Sequence, residues 1–107
     1  MEQSVRQILL KLGVTEEETL ANTPRRFAAA MEELLAGRHS PPPRMTAFPS
    51  TRPGTVVFKG GLQATSLCPH HLLPYLLKAY FAYIPGLQVI GISKPARLFQ
   101  WVAGRLV

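Results

Sequence analysis

The chain has 107 residues, 47% of them apolar, and a formal net charge of +6. That bounds it to one small domain with a modest core and excludes wholesale disorder. No apolar run approaches the roughly 20 residues of a membrane span, and Met1-Glu2-Gln3-Ser4-Val5-Arg6 has no basic stretch leading into an apolar one, so the start does not read as a secretory signal. The single cysteine excludes an internal disulfide framework and suits a reducing cytoplasm.

Charge is unevenly placed. All six acids (Glu2, Glu16, Glu17, Glu18, Glu32 and Glu33) precede residue 34, whereas eight basic side chains and no carboxylate follow it. Such a surface suits a polyanion, whether nucleic acid, a nucleoside triphosphate or an acidic partner.

Three regions are expected: a helical start over 1–37, a proline-rich loop over 38–54, and a mixed region over 55–107. Val5, Ile8, Leu9 and Leu12 recur at helical spacing over Ser4 to Leu12, and Gly13 is a natural stop. Thr15 lies three residues before Glu18, a capping-box pattern that opens a short turn. Thr23-Pro24 signals the start of a second helix, with Thr23 as cap, running to about Leu35. Phe27, Met31, Leu34 and Leu35 form its expected apolar stripe, and Arg25 and Arg26 read as solvated. The stretch from Arg38 to Gly54 carries five prolines and no periodicity, so it reads as a loop. His39 within it has no second ligand nearby and reads as a surface histidine.

Thr55 to Lys59 is a β-branched and aromatic strand closed by Gly60-Gly61, and Leu62 to Leu67 is a second short one. Leu76 to Ile84 alternates, with Lys78, Tyr80, Ala82 and Ile84 on one face and Leu77, Ala79, Phe81 and Tyr83 on the other. Pro85-Gly86 turns the chain into a short apolar run, Val89 to Ile92. Ser93 caps a last helix with Pro95 in its first turn and Leu98, Trp101, Val102 and Leu106 on one face.

Two constellations carry chemistry. Cys68-Pro69-His70-His71 packs a thiol and two imidazoles between apolar runs. Cysteine and histidine are the common zinc ligands, and imidazole moves protons near neutral pH. A Cys-x-x-His arc lets Cys68 and His71 face one metal while His70 points elsewhere, but spacing alone serves a free cysteine beside two unrelated histidines equally well. In Gly91-Ile92-Ser93-Lys94-Pro95-Ala96-Arg97, a hydroxyl, an ammonium and a guanidinium gather at a helix N-terminus, whose free N–H groups and positive dipole suit a triphosphate. An ordinary capped helix with two solvated cations gives the same pattern.

In combination, the order of Thr23-Pro24-Arg25-Arg26, Ser66 to Pro74, Ala82 to Pro85 and Gly91 to Arg97 resembles GTP cyclohydrolase I. The resemblance implies an α+β chain, a partial tunnelling fold in which N-terminal helices precede antiparallel strands and a C-terminal helix. It implies Cys68 and His71 as zinc ligands, His70 as the catalytic histidine, and Ser93, Lys94 and Arg97 as the triphosphate-binding set. The implied enzyme is a zinc-dependent hydrolase that opens GTP at C8, releases formate and forms 7,8-dihydroneopterin triphosphate in cytoplasmic pterin and folate synthesis. Family members assemble as rings with active sites at subunit interfaces, which implies a homo-oligomer or association with a longer homologue.

The family pattern continues beyond Ser-Lys-x-x-Arg into Gln-x-Gln-Glu-Arg and a second cysteine, the third zinc ligand. This sequence holds neither, so weak zinc binding and little turnover by the chain alone are expected. The alternative is a non-catalytic relative that binds GTP or zinc and modulates a full-length partner. A deazaguanine nitrile reductase is disfavoured by His70-His71 directly after Cys68, and nucleic-acid binding by the lack of aromatic residues interleaved with basic ones outside the expected core.

Overall fold

The computed structural model describes residues 1–107. Contacts divide them into two compact units, Met1–Leu34 and Leu35–Val107. The architecture is α+β, with three helices and two small antiparallel sheets, in keeping with a partial tunnelling fold. No helix is long and apolar enough to cross a membrane.

The first unit is a helical hairpin of α1 (Glu2–Lys11) and α2 (Glu17–Leu34). Gly13 ends α1 as expected: it adopts a left-handed φ of 83°, and the N–H groups of Gly13 and Val14 return to the carbonyls of Leu10 and Leu9. These paired bonds satisfy carbonyls that the helix itself leaves open. The second helix corrects the expectation. It begins at Glu17 rather than at Thr23-Pro24, so Pro24 lies inside it. A proline there removes the N–H that would bond the carbonyl four residues earlier. The carbonyl concerned is that of Leu20, and the Arg6 guanidinium of α1 donates to it at 3.1 Å. Acidic Glu17 and Glu18 occupy the first turn, where the helix dipole favours them. The buried stripe is Leu20, Pro24 and Ala28, in place of the expected one; Phe27 is exposed.

The second unit opens with a 3-10 turn, Ala36–Arg38. Strand β1 (Ala47–Pro49) then lies inside the stretch read as pure loop, and it pairs antiparallel with β4 (Gln88–Ile90). Pro49 at its end is tolerable because a terminal, edge position needs no ladder donor there. The main ribbon is β2 (Val57–Leu67) against β3 (Pro74–Tyr83), from Val57 opposite Tyr83 to Leu67 opposite Pro74. Gly60-Gly61 does not close a strand, as expected from sequence, but forms a bulge within one: the register shifts between Lys59 and Leu62, and Gly61 takes a φ of 68°.

Alternation along β3 is as read. Leu77, Ala79, Phe81 and Tyr83 are half-buried, while Leu76, Lys78, Tyr80 and Ala82 are exposed. Helix α3 (Lys94–Ala103) covers the inner face. Pro95, Leu98, Phe99 and Val102 meet Leu62, Ala79 and Phe81 across an apolar groove. Trp101 instead donates its indole N–H to the Ser40 carbonyl at 2.9 Å, and Leu106 lies beyond the helix with a φ of 62°. Neither belongs to the expected face. The outer face of the ribbon has no cover in this chain: Phe58 and Tyr80 are 65% and 72% exposed and stack on each other.

Candidate active site

The Cys/His motif forms the loop Cys68–Leu73 that joins β2 to β3. Two backbone bonds close it: Cys68 N–H donates to the Leu73 carbonyl at 2.9 Å, and Leu72 N–H to the Cys68 carbonyl at 2.8 Å. Closing so tightly forces Leu72 into the left-handed region, φ 55°, at a cost of about 1–2 kcal/mol for a side-chain-bearing residue. Within this loop Cys68 is half-buried and His70 and His71 are exposed. The Nδ1 atom of His70 and that of His71 each stand 3.8 Å from the Cys68 sulfur, with the two rings 6.4 Å apart.

Bond lengths to a tetrahedral zinc put a ligating sulfur and nitrogen about 3.5 Å apart. The Cys68–His71 pair therefore fits a zinc ion with a small adjustment, and so does Cys68–His70. No group of three or more His, Cys, Asp or Glu side chains in the chain is arranged to hold a metal. The loop offers a two-donor fragment of a zinc site with an adjacent imidazole, and its geometry treats the two histidines alike. His39 is exposed and far along the chain from this loop.

The second constellation sits at the N-terminus of α3. Ser93 is the cap residue, and its hydroxyl makes no capping bond. Lys94 is half-buried and Arg97 exposed; Arg97 follows Ser93 by one turn, so both lie on the same side of the helix. Since no carboxylate follows Glu33, the second unit offers these cations no acidic partner. The Lys94 N–H is already bonded to the Gly91 carbonyl at 2.9 Å, so a free hydroxyl and two cations without an acidic partner in their unit, at a positive helix end, form the anion-receptive surface.

The structure gathers Cys68, His70 and His71 in one loop and Ser93, Lys94 and Arg97 at one helix end, but it does not bring the two groups together. Ser66, two residues before Cys68, bonds the carbonyl of Ala103 at the C-terminal end of α3. The phosphate-type residues lie at the other end, about 14 Å away along a helix of this length. Sequence reading gave Ser66 no role. Its signal was a lone hydroxyl leading into an apolar pair with the metal-type cysteine.

Comparison with known proteins decides the relationship. The model of the family described as GTP cyclohydrolase I matches residues 1–107. The chain belongs to the GTP cyclohydrolase I family. It is 46% identical over 110 residues to the protein named GTP cyclohydrolase 1 of Pyrobaculum neutrophilum, covering 97% of this chain and 57% of that relative. Against the Coxiella burnetii protein of the same name the identity is 39% over 106 residues, covering 95% and 57%. A Pseudomonas syringae relative named GTP cyclohydrolase 1 2 is 39% identical over 109 residues, covering 99% and 60%. The chain thus spans well under two thirds of the length of these GTP cyclohydrolase I relatives, and the matched span includes both constellations.

Proposed function

We propose that this chain supplies part of a GTP cyclohydrolase I active site. The reaction is the hydrolytic opening of GTP at C8 with loss of formate, giving 7,8-dihydroneopterin triphosphate. The observation that carries the reading is the Cys68–Leu73 loop, in which a thiol lies 3.8 Å from each of two imidazole nitrogens.

Each group has a defined task. Ser93, Lys94 and Arg97 hold the triphosphate, through a hydroxyl, two cations and the positive end of the α3 dipole. Cys68 and His71 are the residues of this chain that would hold zinc. The chemistry a bound zinc supplies is Lewis acidity, which eases deprotonation of water near neutral pH. His70, beside them but free, carries protons between water and the ring nitrogens as the C–N bonds break. The guanine edge calls for a carboxylate acceptor, which residues 34–107 do not contain.

The separation of the two constellations along α3 supports assembly. A second copy, or a longer homologue, brings a metal-type loop to a phosphate-type helix end, and the exposed apolar ribbon face offers it surface. That no three His, Cys, Asp or Glu side chains are arranged to hold a metal favours a second reading, a GTP- or zinc-binding subunit that modulates a longer homologue.

The test incubates purified chain with GTP and zinc and measures formate and 7,8-dihydroneopterin triphosphate. Product formation that His70→Ala abolishes supports catalysis. No product despite retained GTP and zinc binding rejects catalysis by this chain, and an altered GTP response of an added longer homologue then supports the modulating reading.

A further inference from the structure

The base of the Cys/His loop is fastened to the far end of α3 by side chains that the proposed chemistry leaves unused. Ser66 is 0% exposed, and its hydroxyl donates a 2.6 Å hydrogen bond to the carbonyl of Ala103, the last residue of α3. Carbonyls in a final helical turn have no intrahelical donor. The backbone N–H groups just beyond this one go elsewhere, Gly104 to Gln100 and Arg105 to Val102. Across the ribbon Ser66 faces Tyr75, whose hydroxyl donates to the Val107 carbonyl. The Ser66–Tyr75 rung lies directly below Leu67–Pro74, the pair from which the Cys68–Leu73 loop springs.

We propose that Ser66 is a positioning residue, whose buried bond to Ala103 fixes the loop on α3 and so holds Cys68 and His71 in ligating geometry. Ala103 is itself 1% exposed, so an apolar side chain at position 66 would leave its carbonyl buried without a donor. The strand end then moves off the helix end or admits water. Cys68 follows, because only Leu67 separates it from the anchor. The part of the inference that concerns ligation rests on reading Cys68 and His71 as zinc ligands; the part that concerns loop anchoring does not.

The experiment compares wild type, Ser66→Ala and Ser66→Thr as full chains with two readouts. The first is hydrogen exchange at the Cys68 and Leu72 amides, whose bonds close the loop, with amides at the Phe58–Ala82 end of the ribbon as reference. The second is Co(II) affinity, followed by the thiolate charge-transfer absorption. In Ser66→Ala the two loop amides exchange about tenfold faster, beyond any change in the reference amides, as expected for losing one buried hydrogen bond. Co(II) affinity falls about tenfold, in the range for groups that orient metal ligands, and Ser66→Thr, which keeps the donor, recovers most of both.

Equal acceleration along the whole ribbon, or unchanged Co(II) affinity in Ser66→Ala, overturns the proposal, because a merely structural serine gives that result. Wild type that binds no Co(II) refutes the zinc reading instead, and the exchange pattern alone then decides anchoring. Should Ser66→Ala not fold, Tyr75→Phe removes only the second fastening; loop-selective acceleration of about threefold supports anchoring, and a uniform pattern overturns it.

Discussion

At the C-terminal end of α3 polar side chains find partners inside the chain, whereas at its N-terminal end the side chains are left open. Around Ala103, Ser66 fills one helix carbonyl. The Arg105 guanidinium donates to the Gly37 carbonyl at 2.9 Å and lies 4.5 Å over the Trp101 ring, while the Trp101 indole reaches Ser40. Gly37 and Gly104 let two backbones touch: a Cβ built on Gly104 would stand 2.8 Å from the Gly37 nitrogen. Around Ser93 the cap hydroxyl is unused, and the two cations nearby have no carboxylate in their unit. One end of the helix holds the fold, and the other carries the side chains to which the proposed function gives the triphosphate. Exposed side-chain donors without a partner add little to stability and are available for binding, so the contrast separates fastening residues from those the proposed function uses.

Substitutions at the two ends should therefore break different properties. The largest effect belongs to the fastened end. Gly37→Ala drives a Cβ into the Trp101 carbonyl, where rigid backbone cannot give way, and lowers unfolding stability by about 3 kcal/mol in chemical denaturation. At the open end, replacing Lys94 and Arg97 together by Ala leaves the denaturation curve where it was. Calorimetry with GTP shows affinity falling about tenfold for each charge removed. A loss of stability comparable with that of Gly37→Ala would mean that these cations fasten the fold after all, and the contrast would fail. The smallest effect is at Trp101. Trp101→Phe keeps a ring under Arg105 but loses the bond to Ser40, costing about 1 kcal/mol with GTP affinity unchanged.

Much of this layout was legible in sequence, for physical reasons that differ by element. Strict alternation made β3 readable, because a strand with one covered face repeats every second residue. Gly13 was readable because a left-handed helix stop favours glycine. The motif segments stood out because thiol, imidazole and cationic side chains cluster there among apolar residues. Elements set by distant partners were not. Thr23-Pro24 carries a valid local start signal, yet the helix runs through it, with Arg6 bonding the Leu20 carbonyl that Pro24 leaves without a donor. Strand β1 is three residues long and exists through its pairing with β4. Ser66 offered only a hydroxyl, and its partner lies 37 residues away. Local pattern reports local energy, and each of these cases turns on a contact made across the fold.

Within the Cys68–Leu73 loop the two histidines stand at equal distance from the sulfur, yet the proposed function gives them different work. Metal binding by wild type, Cys68→Ala, His70→Ala and His71→Ala, measured with Co(II) by absorption and with zinc by calorimetry, separates them most directly. The account predicts that Cys68→Ala and His71→Ala lose the metal while His70→Ala retains it at nearly wild-type affinity. Loss in His70→Ala equal to that in His71→Ala, or binding that none of the three changes, would contradict it.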